Sequence, residues 1–447
     1  MQILNQKSFD EKISQARKLV PGPALDTIRD FLLTADDARL YNINPWRLAA
    51  ERKVNRMAAL KAMLHLTKGG LLNLFWTIHC PSCKGATQRS DRLISLRHGD
   101  HCDFCKIPFD AGFDTNLEVS FAPNPAVLKT GEVGPYGQVM AGFETEPGIT
   151  IDLDPGASHF LATELVPGNY FVTIDQDEKV FNIAVKGEET TVVQRISLGY
   201  VPDQLPLVVA KARPGKAEVV ITNRSTRPQE MRFARMNPPR WPSAAVVSSL
   251  QEFRDLFSSE MLSLDETFSI ESLGFLFTDI KGSTELYERL GDAQAFALVK
   301  EHFYIMERIV KANNGGVVKT IGDAVMAVFV DPRDALHSAV EMIEAFDDLE
   351  TARKLKNAII IKVGVHHGPC IAVTLNDRLD YFGTTVNIAA RVQGLSDGRD
   401  IMASASLFTE SDAAAWLASK GWINAPFVTS LKGLKASYQV HKMHRRT

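Results

Sequence analysis

Two aspartates stand where strands should end. Residues 273–278 (LGFLFT) form a short apolar run of the buried-strand kind that stops at Asp279 and passes through Ile280-Lys281-Gly282-Ser283-Thr284 into a helical segment. Phe296, Val299, Phe303, Met306 and Val310 share one face of that helix. Asp279 is thereby expected at a strand end, beside backbone amides at a helix start that suit phosphate oxygens. Downstream, VVKTIGDAVMAVF reads as two strands folded back at Gly322-Asp323, which would bring Asp323 close to Asp279. On spacing alone, two such carboxylates are either a divalent-cation site or unrelated surface turns. Asn387 and Arg391 lie one helical turn apart and point from one face of a helix beginning near Thr385.

A second constellation is made of cysteines. Cys80-Pro-Ser-Cys83 and Cys102-Asp-Phe-Cys105 are two tight pairs, spaced so that each grips one side of a tetrahedral ion. Four thiolates favour a closed structural zinc site, the alternative being buried or redox-active cysteines. His79, His98 and His101 are nearby substitutes that four cysteines make unnecessary.

The wording of the carboxylate motifs goes beyond their spacing. FTDIKGST, KTIGDAVMAVF and DYFGTTVNIAAR (380–391), in that order, resemble the class III nucleotidyl cyclase family over about residues 273–443. The resemblance implies a ferredoxin-like βαββαβ domain of the α+β class that converts a nucleoside triphosphate to a cyclic nucleotide and pyrophosphate. It places two magnesium or manganese ions on Asp279 and Asp323, acidifying the ribose 3′-hydroxyl and holding the departing pyrophosphate. Lys319 and Asp380 match the positions that choose the purine. A lysine donor and a carboxylate acceptor complement N1 and N6 of adenine, so this pair implies ATP over GTP. Asn387 would orient the ribose, and Arg391 would stabilise charge on the α-phosphate. Lys362 and Lys432 match approximate triphosphate-binding positions. Thr384 departs from the family, many members having Asn there. In the family each site forms between two cyclase domains, so one such domain per chain implies a homodimer. Three rival readings are a guanylate cyclase, a catalytically silent cyclase-like signalling module and a zinc-ribbon nucleic-acid binder. Upstream, GLLNLFWTIHCPSCKG and CDFC resemble an uncharacterised domain found ahead of cyclase domains in some bacterial proteins.

Elements that position these residues divide the chain into five expected parts. Residues 1–78 read as helical, 79–113 as a zinc-ribbon-like segment and 114–240 as a small all-β domain. In the β region, NYFVTIDQDEKVFNIAVKG and KAEVVITNRSTRPQEMRFARM each read as a hairpin. PPRWP (238–242) breaks the chain. A linker helix over 241–272, striped by Val246, Leu250, Phe253, Phe257 and Met261, leads to the catalytic domain at 273–447. Placed there, the linker is a natural route for regulation by the N-terminal half. His366, His367 and Cys370 read as packing residues.

Composition bounds the rest. The 447 residues are too many for one core, and 45% apolar with 23% charged residues is an ordinary globular mix. A net charge of −3 gives no global attraction to nucleic acid, and the basic residues between Arg47 and Lys61 read as a solvated helix face. The start of the chain lacks the apolar core of a signal peptide. The longest apolar stretch, near 71–78, falls far below the ~20 residues that span a bilayer. A cytoplasmic protein without a transmembrane segment is expected.

Overall fold

A computed structural model describes residues 2–20, 22–81, 84–103, 106–133, 144–145, 148–174, 179–202, 207–237, 240–353, 359–408 and 412–445. The chain forms two compact units. One comprises Met1–Asp91, Gly99–Ala111 and Asn116–Pro242, and the other Arg92–His98, Gly112–Thr115 and Ser243–Thr447. Among the described residues no helix is long and apolar enough to cross a membrane.

The first unit begins with helices from Gln6–Leu19 to Arg56–Lys68, several capped by asparagine side chains such as Asn44 and Asn55. Helix does not continue to residue 78. Leu72–His79 is instead the central strand of an antiparallel sheet, between Ala86–Ser90 and Leu117–Pro123. Its aromatic and β-branched residues are buried almost throughout, a requirement a two-sided strand meets better than an exposed helix. The strand Leu117–Pro123 accordingly belongs to this sheet, not to the β region that follows.

That β region pairs differently from expectation at one point. Gly168–Ile174 and Lys179–Val185 do form an antiparallel pair, though the turn expected at 175–178 lies outside the described residues. Gly215–Asn223 and Gln229–Asn237, read from sequence as a second hairpin, enter different sheets. The former lies between Ser158–Leu165 and Thr190–Tyr200, and the latter pairs with Gly168–Ile174 and Ile149–Leu153. Alternation reports which faces are buried, and here both strands feed one apolar core containing Val219, Ile221, Met231 and Phe233.

In the second unit the expected linker helix is two short ones, α1 (Ala244–Ser248) and α2 (Gln251–Leu256). Leu250 is extended (φ −78°, ψ 135°) and breaks the run, while Ala244, Val247, Leu250 and Phe253 are buried within this unit. Of the stripe itself, Leu250 and Phe253 are buried, whereas Val246, Phe257 and Met261 are half-buried. The first strand, β1 (Phe268–Ile280), starts inside the range assigned to the linker. It is followed by α3 (Ser283–Leu290), α4 (Asp292–Ala312), β2 (Gly316–Ile321), β3 (Ala324–Phe329) and α5 (Pro332–Arg353). Then come β4 (Ile361–Leu375), β5 (Arg378–Phe382), α6 (Thr384–Gln393), β6 (Ile401–Ser404), α7 (Ala413–Ser419), β7 (Trp422–Ser430) and β8 (Ser437–Arg445).

The sheet order is β2-β3-β1-β4-β6-β8-β7, with β5 paired to β4; only β4–β6 is parallel. This is the mixed, mainly antiparallel α+β architecture expected. Leu276 faces Met306, Val310, Ala335 and Ile343 on one side of β1, and Phe275 meets Tyr381 edge-on on the other. Both faces of β1 are thus covered, which accounts for its unbroken apolar run. On the predicted face of α4, Val299, Met306 and Val310 are buried, but Phe296 is 62% exposed.

Candidate functional site

Strand pairing places the metal-type carboxylates. Residues 274–278 of β1 run antiparallel to β3, and Ile321 pairs with Ala324 across the Gly322-Asp323 turn, where Gly322 takes φ 65°. On the other side of β1, Asp279 lies opposite Lys362 of β4. Burial raises the pKa of Asp279, Asp323's charge raises it further, and Lys362 opposes both. Asp323 Oδ2 is buried with no hydrogen-bond partner among the described residues. Two mutually repelling carboxylates, one with an orphaned oxygen, fit a divalent cation better than a pair of solvated turns.

The purine-type residues meet directly. Lys319 Nζ lies 2.6 Å from Asp380 Oδ2, and Asp380 Oδ1 accepts a 2.7 Å hydrogen bond from the Tyr381 amide. Asp380 is only 6% exposed, so its carboxylate is held by partners rather than by water. Asn387 and Arg391 stand exposed on α6, whose opposite face buries Thr385, Ile388, Ala389 and Val392. A β-carbon on Gly364 of β4 would lie 2.3 Å from the Gln393 amide nitrogen, so α6 is seated against the sheet too closely for any side chain there. Lys432 is exposed in the turn between β7 and β8. Among the described residues, no hydrogen bond or ion pair joins Asn387, Arg391 or Lys432 to the other candidate residues.

In the first unit, Cys80 and Cys102 are buried beside Ile107 and Phe109 in one cluster. Cys83 and Cys105 lie outside the described residues. Among the described residues, no group of three or more His, Cys, Asp and Glu is arranged to hold a metal ion. His79 is engaged elsewhere, with Nε2 2.7 Å from Glu118 and its ring stacked on Trp241. His98, in the second unit, places Nδ1 2.7 Å from Glu266 Oε2 of the same unit.

Some residues near the site were not singled out by sequence. His302 of α4 is fully buried, neither ring nitrogen has a hydrogen-bond partner among the described residues, and burial pushes its pKa down to about 4. Its position between Val299 and Met306 on the apolar stripe was the available signal. His366 and Cys370 are packing residues as expected. His366 Nδ1 meets Ser404 Oγ at 2.6 Å, and burial pushes the Cys370 thiol up to about 12.

Two stretches of the chain match known families. Residues 266–414 match the family described as adenylate and guanylate cyclase catalytic domain, and residues 7–142 match a family of unknown function, DUF5939. The adenylate cyclase of Lachancea kluyveri is 35% identical over 158 residues, 31% of this chain and 8% of that protein. That of Anabaena cylindrica is 30% identical over 140 residues, 29% of this chain and 28% of that protein. The chain thus spans less than a third of the length of either relative. Among solved structures, the guanylate cyclase domain of RhGC from Catenaria anguillulae in complex with GTP is 25% identical, with TM-score 0.34, covering 40% of this chain and 99% of that one. The adenylyl cyclase CyaB from P. aeruginosa is 23% identical, with TM-score 0.35, covering 41% and 97%.

Proposed function

We propose that the protein is an adenylate cyclase, converting ATP to 3′,5′-cyclic AMP and pyrophosphate, since residues 266–414 match the adenylate and guanylate cyclase catalytic domain family. The observation that carries the choice of purine is the Lys319–Asp380 contact. An ammonium can donate to adenine N1 while the carboxylate accepts from the 6-amino group. Guanine offers the reverse pattern and would leave the half-exposed Lys319 and the buried Asp380 unpaired with the base, a mismatch that can be worth orders of magnitude in selectivity. Purified protein given labelled ATP and magnesium or manganese should release labelled cyclic AMP, and Asp279→Asn should not. Release of ADP alone by both would sink the proposal.

The proposed residue roles are these. Asp279 and Asp323 would hold the divalent cations, as their repulsion and the unpartnered Asp323 oxygen favour. Bound there, magnesium or manganese supplies positive charge against the triphosphate and acidity to the ribose 3′-hydroxyl. Lys362, opposite Asp279, is placed to take a phosphate oxygen, with Lys432 as a further candidate. Arg391 offers a forked donor to the α-phosphate as charge builds there, and Asn387, one turn away, orients the ribose. These two side chains face outward on α6, in keeping with a homodimer in which one protomer's aspartates work with its partner's α6.

A structural zinc ion on Cys80, Cys83, Cys102 and Cys105 is a separate part of the proposal, supported by two matching turns. The Lys84 amide donates to the Cys80 carbonyl and the Lys106 amide to the Cys102 carbonyl, at 2.9 and 2.8 Å. Both lysines are left-handed, with φ of 60° and 54°. The two described cysteines share one buried cluster. The N-terminal half would then be a regulatory module.

A further inference from the structure

Strands β2 and β5 carry Lys319 and Asp380, yet no ladder joins them: β3, β1 and β4 intervene. Their 2.6 Å contact therefore spans three intervening strands, and α2 adds a further tie between the two. On the β2 side, the Gln251 backbone N–H of α2 donates to the Gly315 carbonyl at 2.9 Å, and the Gln251 side-chain Oε1 accepts from the Val317 amide at 2.7 Å. A register shift between Val317 and Lys319 leaves that strand free to adjust just before the lysine. On the β5 side, Arg254 Nη1 donates to the Leu379 carbonyl at 3.3 Å, and its guanidinium lies 5.5 Å from the centre of the Tyr381 ring. Ser248 Oγ is 2.9 Å from Tyr381 Oη. Leu379 and Tyr381 are the two neighbours of Asp380.

The fit on the β2 side is close. A β-carbon on Gly316 would lie 2.5 Å from the Ser249 carbonyl and 3.0 Å from Arg254 Cδ. Beside these contacts is a cleft of about 310 Å³, lined by Gln251, Arg254, Val317 and Leu379 among others. Arg254 Nε and Nη2 are buried with no acceptor among the described residues. The bridge between the strands thus rests on few bonds and has room to move.

We infer that Gln251 and Arg254 are positioning residues for purine selection: by tying α2 to the backbone of both strands they fix the Lys319–Asp380 gap. The inference rests on reading that pair as the purine-recognising one. A change at α2 would then reach nucleotide choice without touching the cation-binding aspartates.

The test is the ratio of kcat/KM for ATP to that for GTP in the full-length protein. Arg254→Gln and Gly316→Ala, one loosening the bridge and the other pushing α2 away, should each raise KM for ATP. Each should also lower the ATP-to-GTP ratio by about ten-fold, the scale of a sub-ångström misplacement. Arg254→Lys keeps the charge but loses the fork and should lower the ratio in the same direction; it also serves if the glutamine variant does not fold. A merely structural role would reduce turnover of both nucleotides in proportion, and an unchanged ratio in folded variants overturns the inference. Lys319→Ala separates the two levels. If it leaves the ratio unchanged, the purine-pair reading itself fails; if it shifts the ratio while the Arg254 and Gly316 variants do not, only the positioning role fails.

Discussion

Replacing His302 by leucine should make the catalytic unit more stable, and much more so in mild acid than at neutral pH. Burial among apolar side chains, including the rings of Phe303 and Phe346 at 5.3 and 5.5 Å, pushes the imidazole from 6.5 down to about 4, with the Asp323 charge opposing weakly. The unfolded chain therefore takes up a proton that the folded chain refuses. Stability from this group is full above the unfolded pKa and is lost as pH falls from about 6.5 towards 4. The linkage relation gives a loss of about 2 kcal/mol between pH 7 and pH 5. For a unit of this size that is roughly 4–8 °C in melting temperature. Leucine removes the whole of it, and at pH 7 also removes two buried nitrogens without partners, worth about 1–3 kcal/mol. Scanning calorimetry of full-length wild type and His302→Leu at both pH values, without divalent cations, resolves the effect. His366 and His441, also pushed down by burial, remain in both proteins and cancel in the difference. An equal acid-induced drop in the two proteins would refute the reasoning.

At neutral pH, Asp279→Asn should relieve repulsion from Asp323 and raise the melting temperature slightly in chelator, since a raised carboxylate pKa means stability lost as pH rises through it. Magnesium or manganese should then stabilise wild type and not the variant, as thermal scans with and without cation would show. Exchanging Lys319 and Asp380 together for guanine-complementary residues should weaken ATP use before it creates good GTP use, measured as kcat/KM for each. Asp279→Ala and Arg391→Ala homodimers should each be nearly inactive, while their mixture after subunit exchange recovers about a quarter of wild-type activity, one intact site in each heterodimer. Metal analysis of reduced protein should find one zinc per chain, absent from Cys80→Ser/Cys83→Ser, whose N-terminal half should be unstable.

The catalytic sheet was legible because its signals are local. The run ending at Asp279 and the Gly322-Asp323 turn each specify a strand end within a few residues, and antiparallel pairing does the rest. The Asn387–Arg391 face follows from helical periodicity alone, and the purine-type pair from family resemblance. Partner choice among strands was less accessible. Residues 215–223 and 229–237 alternate as a hairpin would, but alternation fixes the buried face and not the neighbour. Leu72–His79 was misread as helix because its apolar run follows a true helix directly. The stripe over 246–261 has helical spacing, yet the extended Leu250 divides it into two short helices. His302 was hidden by its chemistry: a polar residue on an apolar stripe looks like an interruption until its burial is seen. Arg254 and Gln251 were hidden by distance, since their partners lie at Leu379 and Val317.

The most direct test of the central claim is a competition assay. Full-length protein would be supplied with equal ATP and GTP and a divalent cation, and both cyclic products measured in the same reaction. A Lys319 donor and an Asp380 acceptor built for adenine should give cyclic AMP in large excess, and Asp323→Asn should abolish both products. Equal yields of cyclic AMP and cyclic GMP, or an excess of cyclic GMP, would contradict the purine assignment; no cyclic nucleotide from a folded, cation-loaded protein would contradict the account as a whole.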